Sequence, residues 1–132
     1  MAKIKHLAMI TLNPDALAKF YCEVFDMKIL ERAKTGEVYL TDGYLTLALL
    51  TNKAEGKPNG LNHFGFQIDD QEETAKRLAD YGLARPAKRP ADRPYAETRA
   101  TDPDGNNFDL SVHGFQVVEL AEQREKKEKE LV

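Results

Sequence analysis

Three side chains of types that commonly bind metal ions lie in predicted strands. His6 is near the start of the first strand, His63 has the matching place in the second half of the chain, and Asp109 lies mid-strand between two apolar residues. A single histidine in a strand is more often a hydrogen-bonded structural residue, and a single aspartate after a turn usually caps that turn. An unpaired carboxylate in a buried strand is costly, however, and a metal ion would remove that cost. Two imidazoles and one carboxylate are the donor set of a 2-His-1-carboxylate site with open positions.

We therefore predict that His6, His63 and Asp109 bind one divalent metal ion. Side-chain alternation along the strands supports this prediction. His6 shares a face with Ala8, Asp109 shares one with His113, and His63 lies opposite a face of phenylalanines. The apolar faces are expected to cover helices, so the polar faces meet at one common surface. Such ligands suit Fe, Mn, Ni, Co or Zn, and the sequence does not choose among them.

The order of the predicted elements repeats along the chain. Apolar spacing and turn residues predict a strand, a helix and three strands, followed by the same series again. An internal duplication of this kind outweighs any single propensity. The sequence therefore predicts an α+β fold in which two βαβββ modules, 3–51 and 61–114, form a cup-shaped mixed sheet around the metal site. The modules make up one domain over 1–115, and 116–132 is predicted to be a charged C-terminal helix. The predicted strands cover 3–12, 28–33, 37–41, 44–51, 61–68, 84–88, 95–101 and 108–112, with helices at 13–26 and 70–81.

The composition argues against several classes of function. A net charge of −3 and an isoelectric point near 5.6, without a basic stripe, argue against a nucleic-acid partner. The longest nearly apolar stretch, 45–50, is far too short to span a bilayer, so no membrane partner is expected. Cys22 is the single cysteine, and the N-terminal residues include no apolar signal region. Both features favour a cytoplasmic protein in a reducing compartment.

Four segments resemble the vicinal oxygen chelate superfamily. They are KHLA at 5–8, FYCEVF at 20–25, LNHFGF at 61–66 and DPDGNNFDL at 102–110. This superfamily includes glyoxalase I, extradiol dioxygenases, methylmalonyl-CoA epimerase, and fosfomycin- and bleomycin-resistance proteins. The last segment is the most specific, because a family acid ligand usually follows that turn at the position of Asp109. The resemblance implies a metal-dependent lyase, isomerase or dioxygenase whose small, oxygenated, anionic substrate chelates the metal through neighbouring oxygens.

The sequence departs from the family pattern at three places. The family acid is generally Glu, which is one methylene longer than Asp109. Glyoxalase- and epimerase-like members take a fourth ligand from the fourth strand, where this chain has Leu47 and Ala48, which offer no donor. The resemblance therefore implies a three-ligand site similar to that of dioxygenase and fosfomycin-resistance members. Ring-cleaving members have an active-site Tyr three residues before the Asp-Pro turn, where this chain has Arg99.

Further candidate residues precede that turn. Tyr95, Glu97 and Arg99 alternate along a predicted strand, so they either line the cavity with Asp109 or form an exposed edge of mixed charge. In the first case Glu97 is a candidate general base, Tyr95 is a second catalytic candidate, and Arg99 binds a substrate carboxylate or phosphate. Arg99 is then expected to govern substrate affinity and to leave metal binding unchanged. His113, beyond the strand end, is a candidate substrate-binding or lid residue.

Two other functions stay open at this point. A protein of the bleomycin-resistance type would sequester an amphipathic compound in the same cleft, although such members tend to lack the ligand set. A domain with an inert metal is the third interpretation. The edge strands of each module's sheet need covering, so a homodimer is expected, as is common among similar two-module members. Where members exchange modules, the site would combine His6 of one chain with His63 of another.

Overall fold

The elements of the protein follow the predicted order in a computed structural model, which describes residues 1–53, 58–90 and 96–113. A strand, a helix and three strands occur twice, which confirms the α+β fold of two βαβββ modules. The elements are β1 Lys3–Thr11, α1 Pro14–Phe25, β2 Lys28–Arg32, β3 Val38–Thr41, β4 Thr46–Thr51, β5 Gly60–Gln67, α2 Gln71–Asp80, β6 Ala87–Lys88, β7 Thr98–Thr101 and β8 Asn107–Ser111. The helix predicted over 116–132 lies outside the described residues, so the domain division near residue 115 stays a prediction.

The eight strands form one mixed sheet in the order β2-β3-β4-β1-β5-β8-β7-β6. β1 runs parallel to β4 in the first module, and β5 runs parallel to β8 in the second. The modules join through the antiparallel pair of β1 and β5, in which Ala8 lies opposite His63. The first strands of both modules are therefore central, and β8 lies next to them. This order places the strands that carry His6, His63 and Asp109 side by side within a single chain.

The sheet has a helix face, on which both helices lie, and an opposite cavity face. On the helix face Leu40 and Leu49 pack with Ala18 of α1, and Leu110 packs in a second cluster with Leu78 of α2. Burial of these apolar side chains is the main favourable contribution to folding. Successive strand residues point to opposite faces, so the residues between them point toward the cavity. A separate small cluster on that side consists of Ala8, Tyr39 and Ala48.

Side-chain caps fix where both helices begin. Asn13 Oδ1 accepts a hydrogen bond from the backbone N–H of Ala16, and Pro14 is the first helical residue of α1. Asp70 Oδ1 accepts from the backbone N–H groups of Glu72 and Glu73 at the start of α2. Both helices begin within one residue of their predicted starts, and Asn and Asp are common residues at this capping position. Across the described ranges, no helix has the length and apolar character needed to cross a membrane.

Three strands are shorter than predicted by two residues or more. β4 begins at Thr46 instead of residue 44, because Asp42 Oδ1 accepts from the backbone N–H groups of Tyr44 and Leu45 and holds them in the turn. β6 is reduced to two residues, since Pro86 just before it has no N–H to donate to a neighbouring strand. β7 begins at Thr98 and not at residue 95. The candidate catalytic residue at position 95 lies outside the described residues.

Candidate metal centre

The His/Asp cluster, which consists of His6, His63 and Asp109, lies on the cavity face. One ligand atom from each of the three side chains lies within 4.8 Å of the others. Asp109 Oδ2 is 3.2 Å from His63 Nε2 and 3.9 Å from His6 Nε2, and the two imidazole ring centroids are 5.4 Å apart. The structure therefore brings together the three residues that the sequence singled out.

The sheet register leaves space in the middle of this cluster. Gly65 of β5 pairs with His6 of β1 on one side and with Asp109 of β8 on the other. Residues paired across neighbouring strands point to the same face, so a side chain at position 65 would project between those two groups. Glycine has none, and the space remains open to the atoms of the cluster. Side-chain alternation along β5 places position 65 on the face of His63, but only the sheet register shows that it lies between the other two residues.

Burial and neighbouring charges set the protonation of two members of the cluster. Burial is the main cause that lowers the pKa of His6 to about 4, and the charge of His63 lowers it further. His6 is therefore neutral at pH 7, the form in which an imidazole binds metal. Burial by itself would raise the pKa of Asp109, but hydrogen bonds with His63 and Arg99 outweigh burial and lower that pKa to about 2. Asp109 is therefore an anion at pH 7.

The neighbouring Asn62 orients the ring of His63. Nδ1 of His63 lies 2.7 Å from Asn62 Oδ1, an atom that can only accept, so Nδ1 is the donor of this hydrogen bond. Nε2 is then the ring nitrogen that faces Asp109. A hydrogen bond to the remote ring nitrogen is the usual way in which a protein fixes the tautomer of a metal-binding histidine.

Arg99 bonds directly to the cluster. Its Nε donates to Asp109 Oδ1 at 2.7 Å, and its Nη2 lies 3.4 Å from His63 Nε2. The two residues are paired across β7 and β8, which places both on the cavity face. The sequence led us to expect that Arg99 acts on substrate and leaves metal binding unchanged. The hydrogen bond to a candidate ligand argues against the second part of that expectation, because a change at Arg99 would remove a hydrogen bond that orients Asp109.

The donor set of the His/Asp cluster fits a divalent ion. Asp109 Oδ2 lies 3.2 Å from His63 Nε2 and 3.9 Å from His6 Nε2, so a cation held among these three atoms would be attracted by the carboxylate and bound by the two ring nitrogens. The fourth strand contributes Ala48 and Leu50 to the cavity lining, and neither offers a donor atom. Leu47 packs on the helix face. Among the described residues, the three side chains implied by the family resemblance therefore form the candidate ligand set.

The cluster lies in a cavity of about 430 Å³. Lys53, Arg89 and Arg99 bring three positive charges to its lining, against the carboxylates of Glu37 and Asp109. The cavity therefore favours anionic groups. Several lining residues were not expected from the sequence, namely Thr35, Glu37, Tyr39, Lys53, Asn62 and Arg89. Of these, residues 37 and 39 could have been found, because they alternate with buried apolar residues of β3.

Two other candidates lie apart from the cluster. Glu97 is not among the described residues that line the cavity, and its Oε1 accepts a 2.7 Å hydrogen bond from the backbone N–H of Val112. His113 is exposed and, within the described part of the chain, does not line the cavity either. Roles for Glu97 as a base and for His113 in substrate binding remain predictions.

The fold and the cluster together define a class of protein, in which two βαβββ modules present a candidate metal centre on the cavity face of a shared sheet. The chain belongs to the Glyoxalase/Bleomycin resistance protein/Dioxygenase superfamily, whose family model matches residues 3–110. The match includes His6, His63 and Asp109, and it confirms the resemblance found in the sequence.

Several solved structures share this fold at low sequence identity. The 2,3-dioxygenase LapB from Pseudomonas sp. KL28 has a TM-score of 0.67 and 21% identity, covering 83% of this chain and 40% of that chain. Methylmalonyl-CoA epimerase from Mycobacterium tuberculosis has a TM-score of 0.64 and 16% identity over 81% and 85% of the two chains. A hypothetical protein from Bacillus halodurans C-125 has a TM-score of 0.63 and 15% identity, covering 83% of this chain and 92% of that chain. Identities this low show the fold alone, and no curated protein matches the sequence.

Proposed function

We propose that the protein is a metal-dependent enzyme of the glyoxalase/dioxygenase type that acts on a small, oxygenated, anionic metabolite. The observation that carries the proposal is the convergence of His6, His63 and Asp109, each from a different strand, at one point of an open cavity. These three residues would hold one divalent ion, of Fe, Mn, Ni, Co or Zn. The subclass would be a lyase or isomerase or a dioxygenase.

When bound, the ion would act as a Lewis acid toward two neighbouring substrate oxygens and stabilise an enolate or alkoxide charge. The chain's own residues supply the rest. Lys53, Arg89 and Arg99 bind the anionic part of the substrate, and the apolar wall of Ala48 and Leu50 limits the access of water. Such placement of charged and apolar groups is typical of small-molecule sites.

Proton transfer needs a further group near the substrate. Glu37 lines the cavity but is not part of the His/Asp cluster, and its carboxylate accepts a hydrogen bond from the hydroxyl of Thr35. We propose Glu37 as the general acid–base in preference to Glu97, whose carboxylate is engaged with the backbone at the end of β8. Tyr95 stays a catalytic candidate from the sequence.

The proposed function is tested by comparing two dianions of different geometry. Oxalate presents adjacent oxygens that close a five-membered chelate ring, whereas succinate has the same charge and cannot form that ring. We expect Zn²⁺-loaded protein to bind oxalate at least tenfold more tightly than succinate in a calorimetric titration. Protein stripped with a chelator should show no such preference, since only the general positive charge of the cavity remains.

The opposite result would favour sequestration of the bleomycin-resistance type. A binding protein of that kind would show no oxalate preference in the loaded form and would bind an amphipathic compound equally well with and without metal. Absence of the oxalate preference in the loaded protein would therefore contradict the chelation mechanism.

We also propose that the protein is a homodimer that acts on a small molecule, without a nucleic-acid or membrane partner. The joined sheet has β2 and β6 at its two edges, and an edge strand leaves backbone groups that a second subunit can cover. The His/Asp cluster needs no residue from a second chain, so modules need not be exchanged. A light-scattering mass near one subunit at micromolar concentration would argue against the dimer.

A further inference from the structure

The guanidinium of Arg99 contacts two members of the His/Asp cluster through two different nitrogens. Nε donates to Oδ1 of Asp109, while Oδ2 of the same carboxylate faces the imidazoles. Nη2 lies against Nε2 of His63. The side chain of Arg99 is 28% exposed, against 6% for His6 and Asp109, so Arg99 has an open side toward which it can move.

These two contacts differ in their compatibility with a bound metal ion. The contact at Oδ1 leaves Oδ2 available, so Asp109 can bind a metal through one oxygen while Arg99 holds the other. The contact at His63 occupies Nε2, the ring nitrogen that faces the cluster, since Nδ1 is in contact with Asn62. A guanidinium has five donors and no acceptor, so it cannot itself be a ligand. Metal and Nη2 therefore compete for His63 Nε2.

We infer that Arg99 is an internal cation that competes with the metal ion for the His/Asp cluster, an inference that rests on the metal centre of the proposed function. Metal binding displaces Nη2 from His63 and leaves Nε on Asp109. The positive charge of Arg99 stabilises the cluster when no metal is bound and weakens metal affinity, because two cations in a poorly hydrated site repel each other. Displaced Nη2 is then available to an anionic substrate group, which couples metal loading to substrate binding.

The substitution Arg99→Gln separates these two contacts. The amide nitrogen of Gln follows three carbons after Cα, as does Nε of Arg, so a donor to Asp109 Oδ1 is retained while the charge and Nη2 are removed. Arg99→Lys keeps the positive charge but replaces the branched guanidinium with a single amino group. Lys53→Gln is the matched control, since it removes another positive charge of the cavity lining that lies outside the Arg99 contacts.

We expect Arg99→Gln to bind Zn²⁺ at least tenfold more tightly than wild type in competition with a chromophoric chelator. Arg99→Lys should stay within about threefold of wild type, and Lys53→Gln within about twofold, because that exposed lysine is screened by solvent. Chelator-stripped Arg99→Gln should melt at a lower temperature than stripped wild type. Saturating Zn²⁺ should raise the melting temperature of Arg99→Gln by more than that of wild type, because the variant binds Zn²⁺ more tightly.

Two outcomes would overturn the inference. If Arg99 only positions Asp109, Arg99→Gln and Arg99→Lys should both weaken Zn²⁺ binding. Competition instead predicts that Arg99→Gln strengthens it. Equal affinity in wild type and Arg99→Gln would likewise exclude competition. If Arg99→Gln does not fold without metal, the Zn²⁺ affinities of wild type, Arg99→Lys and Lys53→Gln still test the inference. Arg99→Lys binding Zn²⁺ over tenfold more weakly than wild type would indicate that Arg99 only positions Asp109. A wild type that binds no Zn²⁺ would instead contradict the proposed metal centre itself.

Discussion

Replacing Asp109 with Asn should lower the affinity for a divalent ion by an order of magnitude or more, whereas replacing Asp109 with Glu should retain the ion. Asn keeps the size of the side chain but removes the negative charge, and Oδ2 of Asp109 is the atom nearest to both imidazoles. Loss of that anion removes the strongest attraction for a cation, and little solvent screens it because Asp109 is only 4% exposed. Metal content after dialysis, measured for both variants, checks this expectation.

The Glu variant has room because of its neighbour on β5. Gly65 pairs with Asp109 and brings no side chain to the cavity face, so the additional methylene can be accommodated there. If Asp109 were a structural residue without a metal, the order would reverse: Asn would substitute as a hydrogen-bonding isostere, and Glu would be too long for a packed strand. Melting temperatures of both variants distinguish the two cases. Full metal occupancy in Asp109→Asn would mean that the assignment of ligands is wrong.

Acid should destabilise the chelator-stripped protein between pH 6.5 and pH 4 through His6. The pKa of His6 is about 4 in the folded protein because of burial, against 6.5 for an ordinary histidine. In this window the unfolded chain binds a proton that the folded protein does not, so the stabilising contribution is complete above pH 6.5 and is lost as pH falls. The loss amounts to about 3 kcal/mol of unfolding free energy. Urea unfolding at several pH values measures it.

A matched pair of variants isolates the contribution of His6. His6→Gln should flatten the pH dependence between pH 6.5 and 4, whereas His113→Gln, at an exposed position, should keep the wild-type slope. Asp109 does not contribute to this window, because its pKa falls from 3.8 to about 2 and its stabilisation is lost only below pH 4. Equal slopes in the two variants would show that His6 is not the group that titrates.

The fold could be predicted from the sequence wherever a local pattern of apolar and polar residues determines the structure. On β8, Phe108 and Leu110 alternate with Asp109, and this period of two was enough to assign each side chain to the correct face. The pairing of β1 with β5 is different, because the two strands are distant in sequence and no local feature distinguishes their union in one chain from an exchange between chains. The structure was therefore needed to show that both modules of the sheet come from the same chain.

The candidate site was predictable to a similar extent. The turn at 102–106 closes a hairpin in which Thr101 lies opposite Asn107, and counting two residues back and forward places Arg99 opposite Asp109. The pairing of Arg99 with Asp109 could therefore have been predicted from the sequence, although the hydrogen bond from Arg99 Nε to Asp109 could not. Lys53 and Arg89 lie in connections without periodicity, so only the tertiary structure brings them to the cavity.

Metal content of the purified protein tests the central claim most directly, the claim that His6, His63 and Asp109 together hold one divalent ion. Protein purified without chelator should contain stoichiometric metal, and His63→Ala should lose it, because the substitution removes the Nε2 that faces Asp109 at 3.2 Å. His113→Ala, which changes an exposed histidine outside the cluster, is the control and should retain metal at the wild-type level. Equal metal content in wild type and His63→Ala, or no metal in either, would contradict the account.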